Sequence, residues 1–391
     1  MAGIYVHIPF CDEFCTYCNF YSVKGKGFRE KYISALHKEI ETRKDFFKNT
    51  GVAPQTIYFG GGTPSLFPPF QLGELLQHIK EVYEVNAKEA SIEVNPDDIS
   101  PQYARELRNA GFNRVSMGIQ SFVDDHLQWM NRRHNSQQAR QAYRNLRDAG
   151  FENISLDLIF GYIGLTPQLW EYNLQQMVGL SPEHISAYQM SIEPGSVLGK
   201  MYERGEYELP PDNICSAQYS FLQEYLTQNG YEQYEVSNFA RRNSNGEILK
   251  SLHNSSYWTK EPYLGLGPAA HSYNGSIRSW NSSSVAKYCR YHNSREGVFA
   301  PLEHNGTMLP QDVGGYEQLQ GRDIFNESVM LGLRTVEGVD LSLLDNSLVR
   351  EIFPEIRKHC RMGNLVMDGD IIRIPSGRLF VSDGIIRDLF V

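Results

Sequence analysis

Along the first 190 positions, apolar residues fall into short runs rich in β-branched and aromatic side chains, at residues 4–8, 56–59, 91–94, 114–119, 154–160 and 184–190. Each run is too short for a helix and bounded by turn residues, so each predicts a buried strand. The stretches between them, 28–47, 71–83, 101–110, 136–149 and 167–178, carry their apolar residues at helical spacing. Alternation of strand and helix predicts an α/β fold: a parallel sheet with right-handed crossovers, here an incomplete (β/α)6 relative of the eight-unit barrel. In that geometry functional side chains gather at the C-terminal ends of the strands.

A further helix over 214–228 closes this pattern, and the polar run 241–247 reads as a loop. The expected domains are therefore residues 1–245, barrel-like, and residues 246–391, a smaller C-terminal α+β domain. In the latter, a helix starts at Arg322, a second covers 341–360, and strand-like runs stand at 365–366, 371–374 and 379–381. This resembles a helical domain with a β-wing, but acidic residues outnumber basic ones after residue 320, which argues against DNA reading.

A length of 391 residues exceeds what one hydrophobic core usually serves. The hydrophobic fraction of 41% is that of an ordinary globular protein. The net charge of −9 gives no basic surface for nucleic acid or anionic membranes. With neither a leader pattern nor a run of about 18 apolar residues, a cytoplasmic protein without a membrane segment of its own is expected. The 6 cysteines are too few for a disulfide scaffold. Three of them crowd into residues 11–18, which suggests a metal site in a reducing compartment.

Those three are spaced Cys11-x3-Cys15-x2-Cys18. Thiolates are soft ligands suited to iron–sulfur clusters, and a short loop carrying three of them can reach three corners of one cube, leaving the fourth iron open. Zinc is the alternative, with a fourth ligand such as His7. Gly60-Gly61-Gly62-Thr63-Pro64 after the second strand reads as a tight turn or as close backbone approach to a ligand. Glu93, Gln120 and Asp157 stand near strand ends, where each could bind a polar ligand or cap a loop. Arg132 could pair with a carboxylate or be a solvated charge beside Arg133.

The cysteine loop after a strand, with Tyr17 before its third cysteine and the glycine run downstream, resembles the radical S-adenosylmethionine (SAM) superfamily. The resemblance implies a 4Fe-4S cluster on Cys11, Cys15 and Cys18, SAM on the open iron with its amino end at the glycine motif, and reductive cleavage of SAM to a 5'-deoxyadenosyl radical. Over nearly all the chain, the order of motifs resembles the oxygen-independent coproporphyrinogen III oxidase group and its relatives, the HemW haem chaperones. That likeness implies that Tyr5, Tyr17, Gly61, Gly62, Thr63, Glu93, Gln120, Arg132 and Asp157 line the SAM site.

Three features are similar to HemW rather than to the oxidase. Phe20 stands where the oxidase has a further cysteine, four residues precede Tyr5 where the oxidase has a long extension, and His253-Asn-Ser-Ser-Tyr257-Trp258 matches a HemW motif. The motif implies haem, with His253 on the iron and Tyr257 and Trp258 as porphyrin surface. Read alone, the same residues describe core packing. His271 is a second candidate ligand. After Asp157 the chain departs from the family, reading Gly161-Tyr-Ile-Gly-Leu-Thr166, so a different loop geometry is expected. The functional expectation is a haem carrier that passes haem to an acceptor haemoprotein, soluble or membrane-associated, with an electron donor for its cluster. The alternative is a porphyrinogen decarboxylase.

Overall fold

The computed structural model describes residues 1–25, 27–294 and 314–391. Six parallel strands lie side by side in chain order: β1 (Ala2–Ile8), β2 (Pro54–Gly61), β3 (Glu89–Val94), β4 (Arg114–Gln120), β5 (Ile154–Phe160) and β6 (His184–Gln189). Between them run helices Arg29–Thr42, Pro69–Val82, Pro101–Asn109, Ser136–Asp148 and Pro167–Leu180. Local chemistry marks several starts. Ser100 accepts from Tyr103 N, Asn135 and Gln138 cap each other reciprocally, and Thr166 accepts from Leu169 N, with proline first in the helices at 101 and 167.

The strands alternate sharply. One parity is apolar and buried: Ile4, Val6, Ile57, Phe59, Ile92, Val115, Met117, Leu156 and Leu158 join the helices' Leu36, Leu75, Leu107, Leu146 and Leu174 in one core. The other parity is polar, with Tyr5, His7, Thr56, Tyr58, Ser91, Glu93, Arg114, Ser116, Ser155, Asp157, His184 and Ser186. Because side chains repeat every two residues, the sheet has an oily outer face and a polar inner one.

The sheet does not close on itself. Strand Tyr263–Leu266 pairs in parallel with β1, and Asn238–Ala240 pairs antiparallel with β6. His271–Tyr273, Ile277–Asn281 and Gly314–Gln318 extend the first edge and Glu232–Gln233 the other, giving 12 strands. The sheet thus runs across residue 245, and the helix Leu252–Trp258 packs against β1 and β2. A buried carboxylate ties these later strands to the first helix. Glu39 accepts from Gly267 N at 2.7 Å, Asn281 Nδ2 at 2.8 Å and Tyr288 OH at 2.7 Å, and pairs with Arg43 at 3.4 Å.

Beyond them, helices Arg322–Gly332 and Asn346–Arg361 pack with a three-stranded sheet of Val339–Asp340, Ile371–Arg373 and Val366–Asp368. Two expectations change here. Residues 379–381 end a 3-10 helix, Ser376–Val381, because Pro375 starts a turn that buries Leu379. The helix expected over 341–360 is broken at Asp345, whose side chain accepts from Ser347 N and Leu348 N and so begins a new helix. No helix among the described residues is long and apolar enough to cross a membrane.

Glu39→Ala would leave the Arg43 guanidinium, 8% exposed, without its counter-charge and Gly267 N without an acceptor. Removing one partner of a buried pair costs about 3–5 kcal/mol. Urea unfolding should show a loss of that size, and a variant within about 0.5 kcal/mol of wild type would remove Glu39 as the tie.

Candidate functional site at the polar face of the sheet

The inner parity of β2 to β6 lines a cavity of about 510 Å³ whose mouth is the cysteine loop. That loop lacks regular structure, so backbone bonds from outside set its path: Cys11 N to Val23 O at 3.1 Å, Val23 N to Pro9 O at 2.8 Å and Thr16 N to Met130 O at 3.1 Å. Its Asp12 accepts from Arg29 at 3.2 Å and Arg133 at 3.0 Å. Arg133, read from sequence only as a neighbouring charge, also holds Asp97 at 3.0 Å and Asp98 at 2.9 Å, pinning the loop to the end of β3.

The glycine run explains itself sterically. Gly62 N donates to Ile8 O at 2.8 Å and Thr63 N to Phe10 O at 2.7 Å. A Cβ at Gly62 would stand 2.7 Å from Phe10 O, and one at Gly61, whose φ is +110°, 2.5 Å from the His7 ring. Any side chain here would push the turn off the cysteine loop.

Cys11, Cys15 and Cys18 all line the cavity mouth as free, half-buried thiols. Thr63 Oγ1 donates toward Cys11 Sγ at 3.6 Å and Arg132 Nη1 toward Cys15 Sγ at 3.3 Å. His7 is committed elsewhere, with Nε2 to Tyr21 O at 2.9 Å and Nδ1 to Tyr5 OH at 3.1 Å. It is not a fourth zinc ligand. Among the described residues no group of three His, Cys, Asp or Glu is placed to share one ion. Three thiolates on separate corners of a cube stand wider apart than ligands of a single ion, so this donor set fits a cluster.

Below the mouth, Glu93 accepts from Tyr58 OH at 2.9 Å and Gly61 N at 3.1 Å, and burial pushes its carboxyl up to about 7. Asp157 accepts from Ser116 at 3.3 Å, and burial pushes it up to about 6 against the pull of Ser186 and Arg114. Gln120, at a register shift in β4, holds φ at 68°. Its buried Oε1 and the Nε of Arg132 have no partner among the described residues. Arg132 Nη2 is fixed by Asn95 Oδ1 at 2.7 Å and Gly118 O at 2.8 Å. Tyr17 completes this part of the wall. A carboxyl poised to ionise beside a cation, an open acceptor and an open guanidinium donor suit a zwitterion such as the methionine end of SAM.

The remaining sequence candidates do not line the cavity. Tyr5 stacks on Tyr58 with centroids 6.1 Å apart. His253 is 1% exposed, and Tyr58 stacks on it at 5.1 Å. Its Nδ1 meets Thr56 Oγ1 at 2.9 Å and its Nε2 meets Tyr257 OH at 2.9 Å, so both ring nitrogens are occupied. Burial pushes its pKa down to about 3. Tyr257 packs edge-on against Tyr263 at 4.7 Å, and Trp258 ends the same helix, half-buried. His271 is exposed and stacks on Trp280 at 5.7 Å. The departing loop at 161–166 lines none of the cavity. Sequence reading missed Tyr58, Asn95, Arg114, Ser116 and Ser186, although a polar residue at every second position of an otherwise apolar strand marks all but Asn95, which follows β3.

The family model of the radical SAM superfamily matches residues 5–175, the stretch holding the cysteine loop and most of the cavity wall. A HemW haem chaperone of Bacillus subtilis is 36% identical over 378 residues, covering 95% of this chain and 94% of its own. HemW of Mycobacterium tuberculosis H37Rv is 30% identical, with 99% and 94% covered, and the mitochondrial radical S-adenosyl methionine domain-containing protein 1 of Danio rerio is 34% identical, with 86% and 74% covered. The chain belongs to the radical SAM superfamily and, within it, to the HemW family. The fold is shared with coproporphyrinogen III oxidase (HemN) of Escherichia coli, at a TM-score of 0.79 and 23% identity, covering 100% of this chain and 90% of that one.

The raised carboxyl of Glu93 makes a pH prediction for the apoprotein. The native group keeps its proton from the ordinary value of 4.5 up to about 7, whereas the unfolded group loses it near 4.5. At this group the native state therefore binds more protons in that window, and its contribution to stability falls as pH rises through it. Buried His134, His184 and His253, whose pKa values are lowered, act with the opposite sign in part of the same window. The check is therefore the difference in unfolding free energy between wild type and Glu93→Gln at pH 5, 6 and 7.5, which should fall as pH rises. A slope unchanged in the variant would mean that Glu93 is ionised throughout.

Proposed function

We propose that this protein is a haem carrier that holds a 4Fe-4S cluster on Cys11, Cys15 and Cys18, binds SAM beside it, and passes haem to an acceptor haemoprotein. The observation that carries the reading is the likeness over 95% of the chain to a protein named a haem chaperone. The cavity supports it. Phe14 and Phe20 at its mouth are 39% and 66% exposed, and Tyr188 lines the wall inside, near Asp157, aromatic surface of the kind that lies against a porphyrin face. Phe20 also occupies the place of the cysteine that marks the oxidase group. The residues that would hold the cluster are the three thiols, and those that would hold SAM are Gly61, Gly62, Glu93, Gln120, Arg132 and Asp157. The cluster supplies one-electron chemistry when reduced by an external donor. The protein's own residues exclude water, orient the ligand and stabilise its charged groups.

An imidazole ligates haem iron only through an open nitrogen. His253 would have to give up both hydrogen bonds to supply one, whereas His271 is exposed. On this reading His253 supports Tyr58 and the cavity wall, and His271 is the candidate ligand.

Anaerobic reconstitution should load about four irons per chain, and Cys11→Ala, Cys15→Ala or Cys18→Ala should each abolish loading, while Cys215→Ala, Cys289→Ala and Cys360→Ala keep it. Full zinc occupancy without acid-labile sulfide would end the cluster assignment. Incubation with coproporphyrinogen III, SAM and reductant should give no decarboxylated product, and haem titration should saturate. Catalytic turnover to protoporphyrinogen IX would replace the carrier by an oxidase. In the same titration His271→Ala should change the iron-ligation spectrum, with His253→Ala affecting stability alone. The reverse pattern would put the iron on His253.

A further inference from the structure

The closed end of the cavity contains a charge that the cluster and SAM do not use. Arg114 is the first residue of β4, six residues before Gln120, which places its backbone about 20 Å from that residue along the strand. Its side chain lines the cavity yet is 1% exposed, and its Nε and Nη1 have no partner among the described residues. The nearby carboxylates are engaged with other donors, Asp157 with Ser116 and Glu93 with Tyr58 and Gly61. An arginine keeps its charge at any working pH, and a buried charge without a hydrogen-bonded counter-ion is costly. The planar fork of a guanidinium matches a carboxylate in two parallel hydrogen bonds.

We propose that Arg114 is a carboxylate site at the floor of the cavity, taking a carboxylate carried on a short flexible arm, of the kind that the propionates of a haem present. The propionate source rests on the haem-carrier reading; the site itself does not. Ser116 and Ser186 line the same cavity with their hydroxyls turned to Asp157, which leaves the guanidinium as the donor for the ligand.

The test uses the cluster-reconstituted protein and two probes. Protoporphyrin IX and its dimethyl ester differ in the charge of their arms, and fluorescence titration of wild type should favour the diacid by about tenfold or more, the worth of a charge-assisted hydrogen bond. Arg114→Met should erase that preference and Arg114→Lys should keep part of it, with iron and sulfide content unchanged. Propionate, followed by calorimetry, is the second probe, and its saturable binding should disappear in Arg114→Met. Should neither porphyrin bind wild type, the haem-carrier reading fails while the propionate measurement still decides the site. Equal binding of diacid and diester together with Arg114-dependent binding of propionate would support the site with a free carboxylate as its ligand. Binding of both probes that is indifferent to Arg114 overturns the inference.

Discussion

The cysteine loop has no structure of its own; its path is set by the bonds at Cys11, Val23 and Thr16, and its start is held by two backbone hydrogen bonds on either side of Pro9, Gly62 N–H to Ile8 O and Thr63 N–H to Phe10 O. Both require the glycine turn to lie closer to β1 than any Cβ permits. From that contact the site propagates in two directions. Forward, the Thr63 hydroxyl reaches Cys11 and is itself held by Asn95, which also fixes Arg132 against Cys15. Backward, Gly61 N binds Glu93, Glu93 binds Tyr58, and the Tyr58 ring lies on His253. The His253 motif thus reaches the cluster loop through packing and hydrogen bonds. Its Asn254, next to His253, lines the cavity itself.

The inner face of the sheet departs from the usual barrel, which is filled by branched apolar residues. Serines, tyrosines, two raised carboxyls and an arginine occupy that space instead. Such an interior is expensive in an empty protein, since each buried charge or orphaned donor loses water. The same groups are preorganised for a charged ligand, which then needs little rearrangement to bind. Stability stored outside, in the continuous apolar core between sheet and helices, allows the inside to stay polar.

Much of this was legible in the chain. The six strands, their helices and the three cysteines follow from periodicity and spacing, because strong local signals such as the Asn135–Gln138 cap agree with the long-range fold. The strands Asn238–Ala240, Tyr263–Leu266 and His271–Tyr273 were not, because runs of three or four residues become strands only through pairing with neighbours far along the chain. The part played by Arg133 was hidden for the same reason: its partners Asp12, Asp97 and Asp98 come from two distant loops. The environment of His253 could not be read either. A histidine followed by aromatics gives no sign of whether its nitrogens point at a cofactor or, as here, at Thr56 and Tyr257.

A carrier must let go of what it holds, so the most direct measurement is haem transfer. The cluster-loaded protein, charged with one equivalent of haem, is mixed anaerobically with an apo-haemoprotein, and the two are separated and assayed for haem, iron and sulfide. The account predicts that haem moves intact to the acceptor while cluster iron and sulfide stay with this chain. Haem that remains bound to this chain in the presence of competent acceptors, or a porphyrin recovered with its propionates decarboxylated, would contradict it.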